Sequence, residues 1–270
     1  MKKSAARRPV INLRRAYFEC RYGQLHVRTA FPSTGGFDEL TPLLCLHESP
    51  RSSASFGVFL ADMARDRSVY ACDLPGHGES DPPAQAPSIG DYAAAIGDLL
   101  DALRLREVDI VGIGTGAATA VELGIARGQG IRRLALVQVP LATGDLPAAV
   151  AAPTEDGHHL APAWVRSRAA RGTDEPLGRF ADGFAEELRQ GARAIWGAAA
   201  AQAWPGRERL PLLRQPLLLL RPGRARPDTT AAVQALAPRA VLHDLPQAGA
   251  ALFDVDAAQV AAQVRAFLDP

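Results

Sequence analysis

The sequence lacks three features: a long apolar run, an excess of either charge and a set of paired cysteines. Its apolar stretches are far shorter than the roughly 18 residues that a membrane span needs. Thirty basic residues stand against 29 acidic ones, a balance that argues against a nucleic-acid-binding surface. We therefore expect no membrane and no nucleic-acid partner, and instead a small-molecule ligand or substrate.

The cysteines and the first residues bear on the compartment. Cys20, Cys45 and Cys72 form an odd set without a CxxC pair, which excludes a disulfide framework and gives no zinc pattern. The basic first fifteen residues are not followed by the apolar stretch of a secretory signal. We therefore expect a cytoplasmic protein that uses no metal and no cofactor.

Short apolar runs alternate with segments of helical periodicity, in a chain of 270 residues that suits one α/β domain with an insertion. Residues 16–30 predict an antiparallel hairpin that opens the fold. Apolar strands separated by amphipathic helices indicate a doubly wound, mostly parallel sheet covered on both faces. The predicted strands lie at 41–46, 69–73, 108–111, 134–139, 216–220 and 240–245, and the predicted helices at 52–65, 90–104, 117–126, 229–236 and 257–268.

Strand signals disappear between residues 141 and 214. That segment is rich in alanine and holds all three tryptophans and the adjacent His158 and His159. It predicts a helical lid inserted into a core made of residues 1–140 and 215–270. Adjacent histidines face different ways and lack a third ligand, so they do not indicate a metal site.

Three motifs resemble those of the α/β-hydrolase superfamily, and the resemblance covers nearly the whole chain. The motifs are LHESP at 46–50, DLPGHGESD at 73–81 and GIGTG at 112–116. The resemblance implies the α/β-hydrolase fold, with a strand-to-helix turn at the third motif that carries the nucleophilic serine in active members.

The resemblance also implies that all three catalytic positions are vacant. Gly114 stands at the serine position, Arg226 at the position of the acid and Ala250 at that of the histidine base. Glycine has no side chain to attack with, and alanine cannot accept a proton. A triad acts as a unit, so an ordinary serine hydrolase is not expected.

Three residues near the vacant positions remain as candidates for a rewired site. Thr115 follows the vacant position, Asp228 lies two residues beyond Arg226, and His243 precedes Ala250 by seven residues. In the family, the residue after the serine supplies a backbone amide to the oxyanion hole, so the Thr115 hydroxyl is a weak candidate nucleophile.

Asp73 and His77 belong to a turn that is structural in the family.

The loop after the strand at 41–46 offers the remaining chemistry. The resemblance implies that the backbone amides of Ser49 and Thr115 face one anion-binding point above the sheet. His47 and Glu48 form the acid–base pair that can be placed there. In this fold His47 also has a structural alternative, as a hydrogen-bonding residue, and Glu48 can point to solvent.

Three functions are open at this point. The first is a catalytically degenerate member, a pseudoenzyme that binds a small ligand, with a ligand carboxylate near Arg51 or Arg226 as one option. The second is non-covalent chemistry, by which an unconventional hydrolase, lyase or isomerase uses Glu48, His47 or Thr115. The third is a protein-interaction module, for which the sequence offers no positive sign.

Overall fold

The computed structural model describes residues 13–33, 39–141, 153–171, 175–224, 228–249 and 251–270. Within these residues eight strands form one sheet in the order β1-β2-β4-β3-β5-β6-β7-β8. The strands are β1 (Arg14–Cys20), β2 (Gly23–Ala30), β3 (Leu43–Leu46), β4 (Val69–Cys72), β5 (Val108–Ile113), β6 (Ile131–Val137), β7 (Leu217–Pro222) and β8 (Val241–Leu245).

The sheet is mostly parallel. β1 pairs with β2, and β2 with β4, in antiparallel register, whereas all the other neighbours are parallel. The central strands β3, β4 and β5 are buried at every position, and β6 is buried except at Arg132 and Arg133, as a sheet covered by helices on both sides requires. The predicted hairpin and the doubly wound, mostly parallel sheet are confirmed.

Helices connect the parallel strands. They are α1 (Gly57–Met63), α2 (Ile89–Ala102), α3 (Thr115–Arg127), α4 (Leu160–Arg171), α5 (Leu177–Gln190), α6 (Trp196–Ala203), α7 (Gly206–Arg209), α8 (Thr230–Leu236), α9 (Leu252–Val255) and α10 (Ala257–Leu268). Short 3-10 helices cover Ser53–Phe56, Gly128–Gly130, Gly191–Ile195 and Leu210–Leu212. None of the helices in the described part of the chain combines the length and apolar character of a membrane span.

Two apolar layers cover the two faces of the sheet. One layer packs α2 and α3 against the strands and includes Trp204 of the insertion. The other packs α1, α9 and α10 against the opposite face, where Phe56, Phe59 and Phe253 form an aromatic cluster. Because strands β3 to β8 are parallel, their carboxyl ends and the loops that follow them emerge at one edge of the sheet.

Some predicted boundaries shift. The helix predicted at 117–126 begins at Thr115, directly after the turn, and the strand predicted at 134–139 is β6, which covers Ile131–Val137. The sequence hides the start of β6 because Arg132 and Arg133 interrupt its apolar pattern, while pairing with β5 and β7 supplies the hydrogen bonds.

Between β6 and β7 the described residues contain helices α4 to α7 and no strand. We refer to described residues 153–171 and 175–214 as the insertion.

Candidate functional site

The turn between β5 and α3 places Gly114 at the carboxyl edge of the sheet. Its backbone has φ 54° and ψ −120°, a conformation that costs an ordinary residue on the order of 1–3 kcal/mol and that glycine adopts freely. The Gly114 N–H donates to the Val137 carbonyl at 3.1 Å, which fixes the turn to β6. The sharp turn predicted from GIGTG is therefore present, and it carries no side chain at its apex.

The start of α3 lies directly against the end of β3. The Gly116 N–H donates to the His47 carbonyl at 3.0 Å, and a Cβ on Gly116 would lie only 2.2 Å from the Leu46 carbonyl oxygen. Neither Ser49 nor Thr115 donates a backbone hydrogen bond to another described residue. The predicted use of these two amides as an anion-binding pair stays a prediction.

His47 is fully buried and uses both ring nitrogens. Its Nε2 accepts from the Leu74 N–H at 2.9 Å, so the proton is on Nδ1, which donates to the Glu48 carbonyl at 2.8 Å. Burial lowers the pKa of His47, and the nearby Asp73 carboxylate opposes that shift. The ring is therefore held as a neutral link between two backbone segments, and its partner is the Glu48 main chain and not the Glu48 carboxylate.

Glu48 stands directly over Gly114. A Cβ placed on Gly114 would lie 3.0 Å from the Glu48 Cβ and 3.9 Å from the Glu48 Oε2. A contact of 3.0 Å between two carbon atoms is closer than the 3.5–4.0 Å of optimal packing. Glu48 therefore crowds the space that a side chain at position 114 would enter, and it would have to shift by a few tenths of an ångström to admit one.

The DLPGHGESD turn is organised around the buried Asp73. Its carboxylate accepts from His26 Nδ1 at 2.8 Å, the Ser53 N–H at 2.7 Å and the Glu79 N–H at 2.9 Å. Burial alone would raise the pKa of Asp73, but these hydrogen bonds and the nearby His47 lower it to about 2. Asp73 is thus an ionised structural anchor that joins β2, the start of the 3-10 helix at Ser53–Phe56 and its own turn, in agreement with the structural role expected of this turn.

His77 of the same turn faces the β3 loop. Its Nε2 lies 3.1 Å from the Ser49 hydroxyl, which donates to the Ala194 carbonyl of the insertion, also at 3.1 Å. Burial, together with the neighbouring His47, lowers the pKa of His77 to about 3. A histidine with so low a pKa is a poor proton acceptor at neutral pH, so this pair does not activate the serine.

The helical insertion contacts the site through the four residues 49–52, which we call the 49–52 loop. Besides the Ser49 bond, the Pro50 carbonyl accepts from Gln190 Nε2 at 2.6 Å, Arg51 pairs with Glu175, and the Ser52 hydroxyl donates to Glu186 at 2.7 Å. Each residue of the 49–52 loop thus bonds to the insertion.

Thr115 also faces the insertion. Its hydroxyl is buried and donates to the Gly197 carbonyl at 3.2 Å. Its use as a displaced nucleophile stays a prediction.

A small cleft of about 90 Å³ lies between the 49–52 loop, the turn and α5. Its core side includes Glu48, Ile113 and Phe253, and its other side is formed by α5 and Glu175. The lining holds five carboxylates, Glu48, Glu175, Asp182, Glu186 and Asp254, and two arginines, Arg51 and Arg179. Arg51 pairs with Glu175, and Arg179 Nε pairs with Asp254 at 2.9 Å, so the lining has an excess of negative charge.

The remaining predicted site residues lie at the margin or outside the described residues. Arg226 and Ala250, at the acid and base positions, fall outside them. Asp228 accepts from the Thr230 N–H at 3.0 Å, at the start of α8, and His243 is half-buried on the edge strand β8.

The two histidines of the insertion, His158 and His159, lie near its surface and bond locally to Asp156 and Thr154. Within the described chain no three side chains of His, Cys, Asp or Glu are grouped as metal ligands would be.

The sequence analysis missed the Arg51–Glu175 pair, the insertion's main polar contact inside the cleft. The two residues are 124 positions apart, and no local pattern links them. A signal existed in the isolated glycine at position 183, since a glycine inside a helical pattern has a packing reason in many cases.

Comparison with known proteins finds relatives of this chain among curated proteins and solved structures. A curated protein from Mycobacterium tuberculosis, itself uncharacterised, is 34% identical over 104 residues, which is 38% of this chain and 30% of that protein. The 2-hydroxymuconate semialdehyde hydrolase of a Pseudomonas species is 33% identical over 117 residues, 41% of this chain and 40% of the enzyme. The chain thus matches well under half the length of these relatives.

The solved structure of the enol-lactonase from Burkholderia xenovorans superposes with a TM-score of 0.72 at 18% identity. The match covers 94% of this chain and all of that one, which shows a shared fold. The family model described as the alpha/beta hydrolase family matches residues 43–263, from the strand before His47 to the last helix. With both the sheet and the sharp turn at Gly114 in place, this chain belongs to the alpha/beta hydrolase family.

Proposed function

We propose that this protein binds a small molecule in the cleft over Gly114 and does not act as a serine hydrolase. The observation that carries the proposal is the position of Glu48. A side chain at position 114 would begin 3.0 Å from the Glu48 Cβ, so Glu48 crowds the position of a nucleophile. The backbone conformation of the turn is preserved, whereas the side chain that would attack a substrate is missing.

The loss of covalent chemistry follows from the residues at the three catalytic positions. Gly114 offers no nucleophile, and the sequence supplies Arg226 and Ala250 where the family has an acid and a base. His47 is committed to two backbone segments, and Thr115 to the insertion. Of the predicted acid–base residues, Glu48 is the one that lines the cleft, and non-covalent chemistry there depends on it.

The lining indicates the character of the ligand. Carboxylates outnumber arginines by five to two, so an anionic ligand meets repulsion, and both arginines are paired with carboxylates. This disfavours the ligand carboxylate considered near Arg51. A neutral or cationic small molecule suits the cleft better.

The insertion acts in this proposal as the lid of the cleft. We take residues 141–214 as the lid and residues 1–140 and 215–270 as the core, a division supported by the bonds between the described part of the insertion and the 49–52 loop. At about 90 Å³, the space is below the roughly 300–1,000 Å³ of common ligand pockets. In this proposal the small volume corresponds to a closed form of the site.

Covalent labelling with a fluorophosphonate probe, read by intact mass and peptide mapping, tests the central claim. We expect no adduct, because an activated hydroxyl needs a base, and neither Ser49 nor Thr115 contacts one able to accept a proton at neutral pH. The matched variants are Thr115→Ala and Ser49→Ala. An adduct that disappears in one of them would show a relocated nucleophile and refute the proposal.

A further inference from the structure

Arg51 is buried inside the cleft and not at its rim. The residue is 6% exposed, and its Nη2 donates to the Glu175 carboxylate, whose side chain is 4% exposed. Arg51 belongs to the core, and Glu175 to the insertion just before α5. Removing one partner of such a pair leaves an uncompensated buried charge, which is strongly destabilising.

The helix α5 leaves a notch for this guanidinium. A Cβ on Gly183 would lie 0.8 Å from Arg51 Nη1 and 2.1 Å from its Cζ, so the guanidinium occupies the place of the missing side chain. Glycine inside a helix is unfavourable relative to alanine. The notch explains why glycine stands here, in the middle of a 14-residue helix.

The same guanidinium takes up room over the turn. The cleft is lined by Arg51, Glu175 and Gly183 together with Glu48 and Ile113. The arginine therefore extends from the core side of the cleft to α5. If the side chain left the notch, its volume would be added to the cleft, and the ion pair between core and insertion would be broken.

We propose that Arg51 is the latch of the insertion: its guanidinium, seated in the Gly183 notch and paired with Glu175, holds α5 over the turn and closes the cleft above Gly114. The cleft opens when this side chain leaves the notch. The inference rests on the cleft of the proposed function, but its test needs no ligand. Its failure is therefore distinguishable from a failure of the binding proposal.

Gly183→Ala tests the latch, because the added methyl group and the guanidinium cannot occupy the same place. The matched control is Gly178→Ala in the same helix, where a Cβ meets nothing within 4 Å. In hydrogen–deuterium exchange we expect α5 amides to exchange at least about tenfold faster in Gly183→Ala and in Arg51→Met, with β5 unchanged. Gly178→Ala should equal the wild type or exchange more slowly.

Carbodiimide labelling of carboxylates measures opening of the cleft in the same variants. We expect Glu48 to react faster in Gly183→Ala than in the wild type, with the exposed Asp101 as an unchanged reference. Wild-type protection of α5 in both Gly183→Ala and Arg51→Met would overturn the latch. So would equal loss of protection in β5, which would show general damage to the fold, or unchanged labelling of Glu48 while α5 loosens.

Discussion

Gly114 shows how one residue combines backbone strain with a steric contact. Its φ of 54° suits glycine, and its missing side chain leaves room for Glu48. Gly128, at the other end of α3, has nearly the same backbone angles, φ 52° and ψ −115°, with nothing within 4 Å of an added Cβ. A comparison of these two glycines, one at each end of α3, therefore distinguishes the effect of backbone strain from that of a steric contact.

Gly114→Ala and Gly128→Ala should both lower the free energy of unfolding, by on the order of 1–3 kcal/mol for the backbone strain. Gly114→Ala should lower it further, because its methyl group meets the Glu48 Cβ at 3.0 Å. Urea denaturation of the two variants measures the difference. Equal losses would mean that Glu48 yields freely and does not fill the position of the nucleophile.

His77 makes the stability of the fold depend on pH. Burial and His47 lower its pKa from 6.5 to about 3, so between these values the unfolded chain binds a proton that the folded chain does not. Stability therefore falls as the pH decreases from about 6.5, with a slope of up to about 1.4 kcal/mol per pH unit. Burial also lowers the pKa of His47, which adds a contribution of the same sign.

We expect His77→Gln to show a shallower loss of stability than the wild type in urea denaturation between about pH 7 and pH 4. Part of the slope should remain because of His47. His243→Gln is the control, since that half-buried histidine lies on the edge strand β8. A slope in His77→Gln that is as steep as in the wild type would contradict the low pKa of His77.

Among the elements, the insertion contacts the core both at the site and away from it. At the site it is held by the polar contacts of the 49–52 loop and by the pairs Arg179–Asp254 and Arg189–Glu79. Away from the site, Glu122 of α3 accepts from Trp204 Nε1 at 2.7 Å and from Arg209 Nε at 2.8 Å, and this joins the end of the insertion to the core. Motion of α5 can thus occur about a fixed attachment near α7, as the latch requires.

Across the whole molecule, a buried ionic network at the amino ends of the central strands joins the last helix to the sheet. Arg67 is fully buried and pairs with Asp66, Asp109 and Asp269, while Arg132 Nε donates to Asp109 at 3.0 Å. Asp269 directly follows α10, so the network joins residues about 200 positions apart. The network lies at the edge of the sheet opposite the cleft, and its role is to stabilise the fold.

Asp269→Asn should lower the free energy of unfolding by about 1.5–3 kcal/mol, since it removes a charged partner from the buried Arg67. Asp101→Asn, which removes the exposed partner of Arg127, should change it by no more than about 1 kcal/mol. Urea denaturation of both variants provides the comparison. Similar losses in the two would show that burial of Arg67 adds nothing to the pair.

The sequence alone determined the sheet, the sharp turn at Gly114 and the absence of a side chain there, because strand periodicity and turn motifs are local properties of the chain. It placed His47 and Glu48 near the turn and left both an acid–base and a structural role open for His47. The fold gives His47 to two backbone groups and places Glu48 against Gly114.

Only the tertiary structure decided what fills and closes the cleft. The position of the Arg51 guanidinium depends on Glu175 and Gly183, which are more than 120 positions away. The glycine inside the pattern of α5 indicates a packing reason, but nothing local identifies Arg51 as its partner. The low pKa of His77 likewise results from burial under loops that meet only in the folded chain. Local patterning sets elements and turns, whereas contacts between distant residues, and the desolvation they cause, set the chemistry of the site.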